Sequence, residues 1–275
     1  MSVEALIISN SEEMNPLHRS TMEDVHIILE AGTWGIENDI SLGSTKAKSP
    51  FDDLTYLGVY DGHGGRNTVD FLAQALHKNV AMELLEKDVP IPTRLERAFL
   101  LTDIQSNQYQ SSGGSTVALC LIQKPKSPTA VIRLYTANVG DARVVLSRNR
   151  QAIRLSHDHS ATDPSEVDRI VRAGGFCLKG RAMGVLAISR SMGDHGLKQY
   201  IIATPHTNTY DSELKPGRDF IILACDGLWD VLTDQDAVDI VLSWRGAKDD
   251  VAKELTRLAL QKGTLDNITV IVCYL

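Results

Sequence analysis

The stretch Leu57-Gly-Val-Tyr-Asp-Gly-His-Gly-Gly65 governs how the rest of the chain is read. It continues an apolar, aromatic and β-branched run from Leu54, then breaks at Asp61 into small, flexible and charged residues. Asp61, at the strand's end, offers oxygen ligands of the kind hard divalent cations take. Gly62 lets the backbone approach closely, so its carbonyl can also face an ion. His63 is the side chain best suited to handing over a proton near neutral pH. Gly64 and Gly65 permit the turn that follows. In isolation such a D-G-H-G is a solvated strand-to-helix turn. What decides its meaning is whether other carboxylates stand at comparable strand ends.

Upstream, Ala5–Ser9 and Val25–Leu29 suit short strands, separated by a polar loop, Ser11–Asp24, that carries Arg19, Glu23 and Asp24. Gly32–Asp53 reads as loop from its Gly, Ser, Asn and Asp content. Downstream, Val69, Leu72, Ala73, Leu76, Val80 and Leu84 recur at helical spacing. A second helix follows Ile91-Pro92-Thr93, with Thr93 as its expected cap and Leu95, Ala98, Phe99 and Thr102 on its buried face. Strand runs return at Thr116–Ile122, Ala130–Ala137 and Ala142–Ser147, and a short helix, Ser165–Ala173, closes at Gly174-Gly175. Phe176–His206 has no clear period. Phe220–Ala224 is a fully apolar strand ending at Cys225-Asp226-Gly227; helices over Thr233–Ser243 and Lys248–Gln261 precede a last strand, Ile268–Tyr274.

This order lacks the regular β-α alternation of a doubly wound fold. It predicts an α+β protein: a four-layer α/β/β/α sandwich of two packed, mainly antiparallel sheets flanked by helix pairs. With no repeat, low-complexity tract or linker, residues 1–275 are expected to form a single domain.

With 43% hydrophobic and 23% charged residues the chain is globular. A net charge of −7 and a pI near 5.6 speak against a nucleic-acid partner. No apolar run approaches the ~20 residues of a membrane helix, and no signal-peptide pattern opens the chain. Cys120, Cys177, Cys225 and Cys273 form no C-x-x-C pair; three lie in apolar runs, as buried free thiols do. A monomer in the cytoplasm and nucleus is the expectation.

Acidic residues recur at the ends of strands. Glu23 and Asp24 precede one, Asp61 and Asp226 each end one, and Asp266 precedes the last. If these strands are central, their ends converge on one edge. Two unit charges about 5 Å apart repel by about 3 kcal/mol even at an effective dielectric near 20, so convergence demands protons or cations. An all-oxygen donor set without a thiolate or paired imidazole favours Mg²⁺ or Mn²⁺ over zinc. A two-cation carboxylate site is suited to making a nucleophilic hydroxide and clamping the oxygens of an in-line displacement at phosphorus. Arg19, four residues before Glu23, suits the phosphate oxygens, and His63 suits the leaving oxygen.

Seven strings, in order, resemble the metal-dependent serine/threonine protein phosphatases of type 2C. They are Arg19–Asp24, Asp61–Gly65, Gly113–Thr116, Ala137–Arg143, Leu186–Asp194, Ala224–Val231 and Asp266–Val270. The resemblance implies a β-sandwich with a two-cation centre at one edge, hydrolysing phosphoserine and phosphothreonine in proteins. By matching positions, Asp61 bridges both cations. Glu23 and the Gly62 carbonyl complete one ion's protein ligands, and Asp226 and Asp266 the other's. Asp24 orients a water, Arg19 holds the phosphate, His63 is the general acid, and Asp141 with Asp226 holds a weaker third cation. The chain's size and the Leu134–Asp141 string look most like the compact fungal members, which act on phosphothreonine in stress-activated MAP kinase cascades.

The chain departs from the family pattern at Ser160-Ala161, at Ala182-Met183 and at Ala142, none of them an expected ligand. These bear on substrate access. The competing reading, a catalytically silent relative kept as a binding or regulatory module, predicts lost ligands; Glu23, Asp61, Asp226 and Asp266 are all present. A cysteine phosphatase would need Cys-x5-Arg, which no cysteine here provides. His157-x-His159 has no third ligand nearby in sequence and reads as structural.

Overall fold

The computed structural model describes residues 6–34, 51–109, 112–124, 131–212 and 218–275. Most of the expected loop over 32–53 lies outside the described residues, as do Ala5 and Ala130 at the starts of two expected strands. The chain enters on strands β1 (Ile7–Glu13), β2 (Asp24–Leu29) and β3 (Leu54–His63), then forms helices α1 (Asn67–Leu84) and α2 (Ile91–Ser106). Strands β4 (Gly114–Gln123), β5 (Ile132–Val139), β6 (Arg143–Arg148) and β7 (Gln151–Arg154) follow, then helix α3 (Pro164–Arg172). A small hairpin, β8 (Cys177–Leu178) and β9 (Arg181–Ala182), leads to the two-residue strand β10 (Met192–Gly193). After β11 (His206–Ser212) and β12 (Phe220–Ala224) come α4 (Asp226–Trp229), α5 (Asp234–Ser243), α6 (Val251–Gln261) and β13 (Ile268–Tyr274).

The strands make two large antiparallel sheets. One runs β1-β13-β12-β6-β7; the other runs β11-β5-β4-β3-β2, with β10 added beside β4. Alternation along β3 shows why they stack. Tyr56 and Tyr60 face α1 and α2, packing with Leu72, Leu76, Leu95 and Phe99. Leu57 and Val59 face the other way and meet Val144, Leu146, Ile221, Leu223 and Ile271 of the second sheet. The second sheet's outer face, with Phe220, Ile222 and Val272, is covered by Val238 of α5 and Leu255 of α6. Three apolar layers therefore separate four layers of structure, as expected. Burying each large side chain contributes about 1.5–3 kcal/mol, which fastens the helix pairs to the sheets.

Local signals place the helices. Asp163 caps α3 by accepting from the Ser165 N–H at 2.8 Å. Thr233 and Asp236 form a reciprocal capping box at the start of α5. Thr93 does not cap α2. That helix starts earlier, at Ile91, with Pro90 in the capping position and Pro92 in its first turn, where a missing N–H costs nothing. The expected helix over 248–261 begins as a 3₁₀ turn, Lys248–Asp250, before α6. No described helix is long and apolar enough to cross a membrane.

Candidate metal centre

The alternation that points Leu57 and Val59 at the second sheet carries on to Asp61, at the rim of the layer between the sheets. Asp226 starts α4 directly after β12, Asp141 sits in the β5–β6 turn, and Asp266 precedes β13. Carboxylate oxygens of Asp61, Asp141 and Asp226 come within 4.8 Å of one another. Together with Arg19, Gly62, His63 and Asp266 they line one cleft of about 240 Å³. Seven of the nine expected site residues thus share that cleft.

The two others do not line it, although a carboxylate oxygen of Asp24 lies within 4.8 Å of one of Asp61. Asp24 is paired with Asp61 across β2 and β3 but is 2% exposed, facing inward. It accepts from Thr269 Oγ1 at 2.8 Å, a bond that joins the two sheets at this rim. Glu23 turns its carboxylate to the Gly65 N–H, at 3.1 Å, and to the Thr21 hydroxyl, at 3.0 Å. Its carbonyl accepts from the Gly62 N–H at 3.1 Å. A side chain at Gly62 would bring a Cβ within 2.6 Å of that carbonyl, so this close approach of β2 and β3 requires glycine.

The electrostatics are those of a site short of positive charge. Burial, then the charges of Asp24, Asp226, Asp141 and Asp266, pushes the Asp61 carboxyl well above the usual range. Burial, then Asp141, Asp266, Asp230 and Asp24, does the same to Asp226. Asp141 is pushed up to about 6 by burial and by Asp158 and Asp230. Asp24 also stands at about 6, burial outweighing its hydrogen bonds to Thr269, Cys225 and Asp61. Asp226 Oδ1 and the Thr116 hydroxyl are buried without a hydrogen-bond partner among the described residues. Cys225 lies within 4.8 Å of Asp24 and Asp61, and burial and the neighbouring acids push its thiol up. The donor set facing the cleft is oxygen, anionic and under-compensated. It fits hard divalent cations.

Two side chains flank the carboxylates. The Arg19 guanidinium pairs with Asp266 and its Nε donates to the Leu265 carbonyl at 3.3 Å. His63 Nε2 lies 2.8 and 3.0 Å from the two oxygens of Asp194. Several neighbours were not singled out from the sequence. Thr116 faces Asp61 in register, Arg181, Leu186 and Ile188 close the cleft's other wall, and Asp230 and Asp158 add charge. Asp230 carried a signal: it follows Asp226 by four residues, one helical turn. Histidines 157 and 159 gain a neighbour in His206, yet His157 bonds Asp163, and burial holds His159 down at about 3.

Residues 11–268 match the family model described as protein phosphatase 2C. "Protein phosphatase 2C homolog 1" of Saccharomyces cerevisiae is 34% identical, over 96% of this chain and 92% of its own length. "Protein phosphatase 2C homolog 1" of Schizosaccharomyces pombe is 37% identical, over 95% of this chain and 71% of its own. Among solved structures, a phosphatase from Toxoplasma gondii superposes with a TM-score of 0.80 at 20% identity, over 98% of this chain and 92% of that one. A Caenorhabditis elegans sex-determining protein superposes at 0.79 with 24% identity, over 100% of this chain and 66% of that one. At such identities the structural likeness speaks for the fold alone.

Proposed function

The chain belongs to the protein phosphatase 2C family of metal-dependent serine/threonine phosphatases, and on that premise we propose how its residues divide the work. Asp61, the Gly62 carbonyl, Glu23, Asp226 and Asp266 would hold two Mg²⁺ or Mn²⁺ ions. Asp141 and Asp226 would hold a third, weaker one. Such a cation pair supplies an activated water and positive charge for the phosphoryl oxygens.

The protein's own groups supply the rest. Arg19, at the cleft's mouth beside Asp266, takes the phosphate oxygens through its planar fork. His63, in the same cleft, delivers the proton that a serine or threonine oxygen needs in order to leave. Asp24 orients the attacking water from a carboxyl fixed by Thr269. The single observation that carries this reading is the meeting of Asp61, Asp141 and Asp226 within 4.8 Å.

The substrate we propose is phosphothreonine in the activation loops of stress MAP kinases, with the enzyme acting as a monomer in the cytoplasm and nucleus. The resemblance to compact fungal phosphatases supports the first part, and buried free thiols at Cys120, Cys225 and Cys273 fit a reducing compartment. The test is hydrolysis of phosphothreonine and phosphoserine peptides, one of them from a MAP kinase activation loop, with and without Mg²⁺, Mn²⁺ and EDTA. Turnover should require the cation and favour the activation-loop peptide. Metal-independent turnover overturns the mechanism, and indifference to the peptide overturns the substrate.

A further inference from the structure

His63, the last residue of β3, pairs with Gly114 of β4, and Gly114 pairs on its other side with Gly193 of β10. The next residue after Gly193 is Asp194, which the two-residue strand delivers directly behind His63. Asp194 is 5% exposed and left-handed, with φ 48° and ψ 38°. That backbone costs a non-glycine residue about 1–3 kcal/mol, so the surroundings must hold it. They do. Its N–H donates to the Gly113 carbonyl at 3.1 Å, and Ser191 Oγ donates to its Oδ2 at 2.5 Å. The Gly193 N–H and Lys198 Nζ both donate to Asp103, at 2.8 and 2.9 Å, and Lys198 also donates to the Ser191 carbonyl.

The floor beneath the pair is bare backbone. A Cβ on Gly114 would stand 2.1 Å from Asp194 Oδ2 and 2.8 Å from His63 Nε2. With both Asp194 oxygens within 3.0 Å, Nε2 is fully engaged. Nδ1 carries no hydrogen bond among the described residues, and His63 lines the cleft. Which ring nitrogen does the chemistry is set by the bond the other one makes.

We propose that Asp194 is a positioning residue for His63: it holds the Nε2–H, so that the proton for the leaving oxygen is carried on Nδ1. This rests on the reading of His63 as the general acid. In the step, the oxygen of an attacking water bonds to phosphorus as the bond to the serine or threonine oxygen breaks, and the Nδ1 proton passes to that leaving oxygen. The ring is left neutral with its Nε2–H still on Asp194, and solvent returns to it the proton that the attacking water released. A carboxylate behind an imidazole fixes ring orientation and tautomer without itself being protonated.

The experiment compares kcat on a phosphothreonine peptide, whose leaving oxygen needs a proton, with kcat on p-nitrophenyl phosphate, whose leaving group does not. The variants are H63Q, D194N, S191A and the H63Q/D194N pair. H63Q should slow the peptide by about 10²-fold and D194N by about 10-fold, with less than about 2-fold loss on the aryl ester. The double variant should be no slower than H63Q, because the two act as one unit. S191A, which frees Asp194 without touching its charge, should show the same selectivity at smaller size. Equal loss on both substrates in H63Q removes the acid role and this inference with it. A selective H63Q beside a D194N that is unselective, harmless or additive overturns the inference alone. If D194N fails to fold, S191A decides by the same criterion.

Discussion

Glu166 and Asp226 are both buried acids, and their surroundings treat them in opposite ways. Glu166, 3% exposed, accepts from Arg190 at 2.6 and 3.1 Å, from Arg169 at 2.9 Å and from Ser189 at 2.8 Å. Burial alone would raise its carboxyl, but the bonds from Arg190, Arg169 and Ser189 outweigh it and hold the group at about 2. Asp226 has no such company. Its neighbours are Asp141, Asp266, Asp230 and Asp24, and one of its oxygens has no hydrogen-bond partner among the described residues. The first acid is answered by the chain's own cations and locks α3 to the segment before β10. The second is left for something the chain does not supply. A buried carboxylate with its arginines is architecture; one without them is a seat.

The comparison is most sharply tested by activity. D226A should lower peptide hydrolysis by at least about 10³-fold, the scale on which a preorganised charged group counts, while the metal-free melting temperature stays level or rises because a repelling charge is gone. A near-normal rate in that variant would falsify the ligand assignment. E166A should do the reverse. Leaving Arg169 and Arg190 without their acid is expected to cost about 3–5 kcal/mol in urea unfolding. Retained stability would mean the pair of arginines is not what keeps Glu166 in place.

Metal and pH give the next largest effect. Asp24 and Asp141 have folded-state values near 6, above the usual 3.8, so the folded protein binds more protons than the unfolded chain as pH rises from about 4 to 6. Without cations, their contribution to stability therefore falls through that window. His159, buried neutral with a value near 3, works the other way: burial of its uncharged ring increasingly favours the fold as pH rises from about 3 to about 6.5. It holds no cation, so it cancels when melting curves with and without Mg²⁺ are subtracted. The stabilisation by Mg²⁺ should approach about 2.7 kcal/mol at a hundredfold excess over Kd at pH 7.5 and be smaller at pH 5. Equal gains at both values would remove the protons from the seat.

Asp24 is the intermediate case, its charge answered by a hydroxyl and a thiol instead of a cation. T269V should cost about 1 kcal/mol, the net worth of one buried bond, and move the metal-free pH dependence further upward. A variant as stable as the parent would place Asp24 with the unanswered acids.

What the sequence made legible follows from how each element is buried. β12 and β13, apolar on both faces, appear with the bounds expected for them, because a strand buried on both sides reads as a continuous apolar run. β7 and β11 were not foreseen. Both are edge strands, and His206–Ser212 is almost wholly polar, with neither alternation nor an apolar run to mark it. β3 outruns its apolar signal by three residues because Asp61, Gly62 and His63 are held by pairing with Thr116, Ser115 and Gly114. Asp61, Asp226 and Asp266, which the cleft gathers, were legible as candidates because they adjoin apolar strands, and Asp141 only through the family resemblance. Asp194 was not, because its meaning lies in a contact with a residue 131 positions away.

The pairing of β1 has a consequence for timing. Its register runs from Ile7 opposite Tyr274 to Glu13 opposite Ile268, and β13 also separates it from β12. The strand made first must wait for one made some 250 residues later, and Asp266 and Thr269 arrive with that late strand. Contacts of such sequence separation form slowly. A chain still being synthesised can assemble β2 through β5 and their helices, yet its cleft lacks one wall and one acid. Asp266 and Thr269 therefore take their places at the cleft only once β13 has paired with β1 and β12.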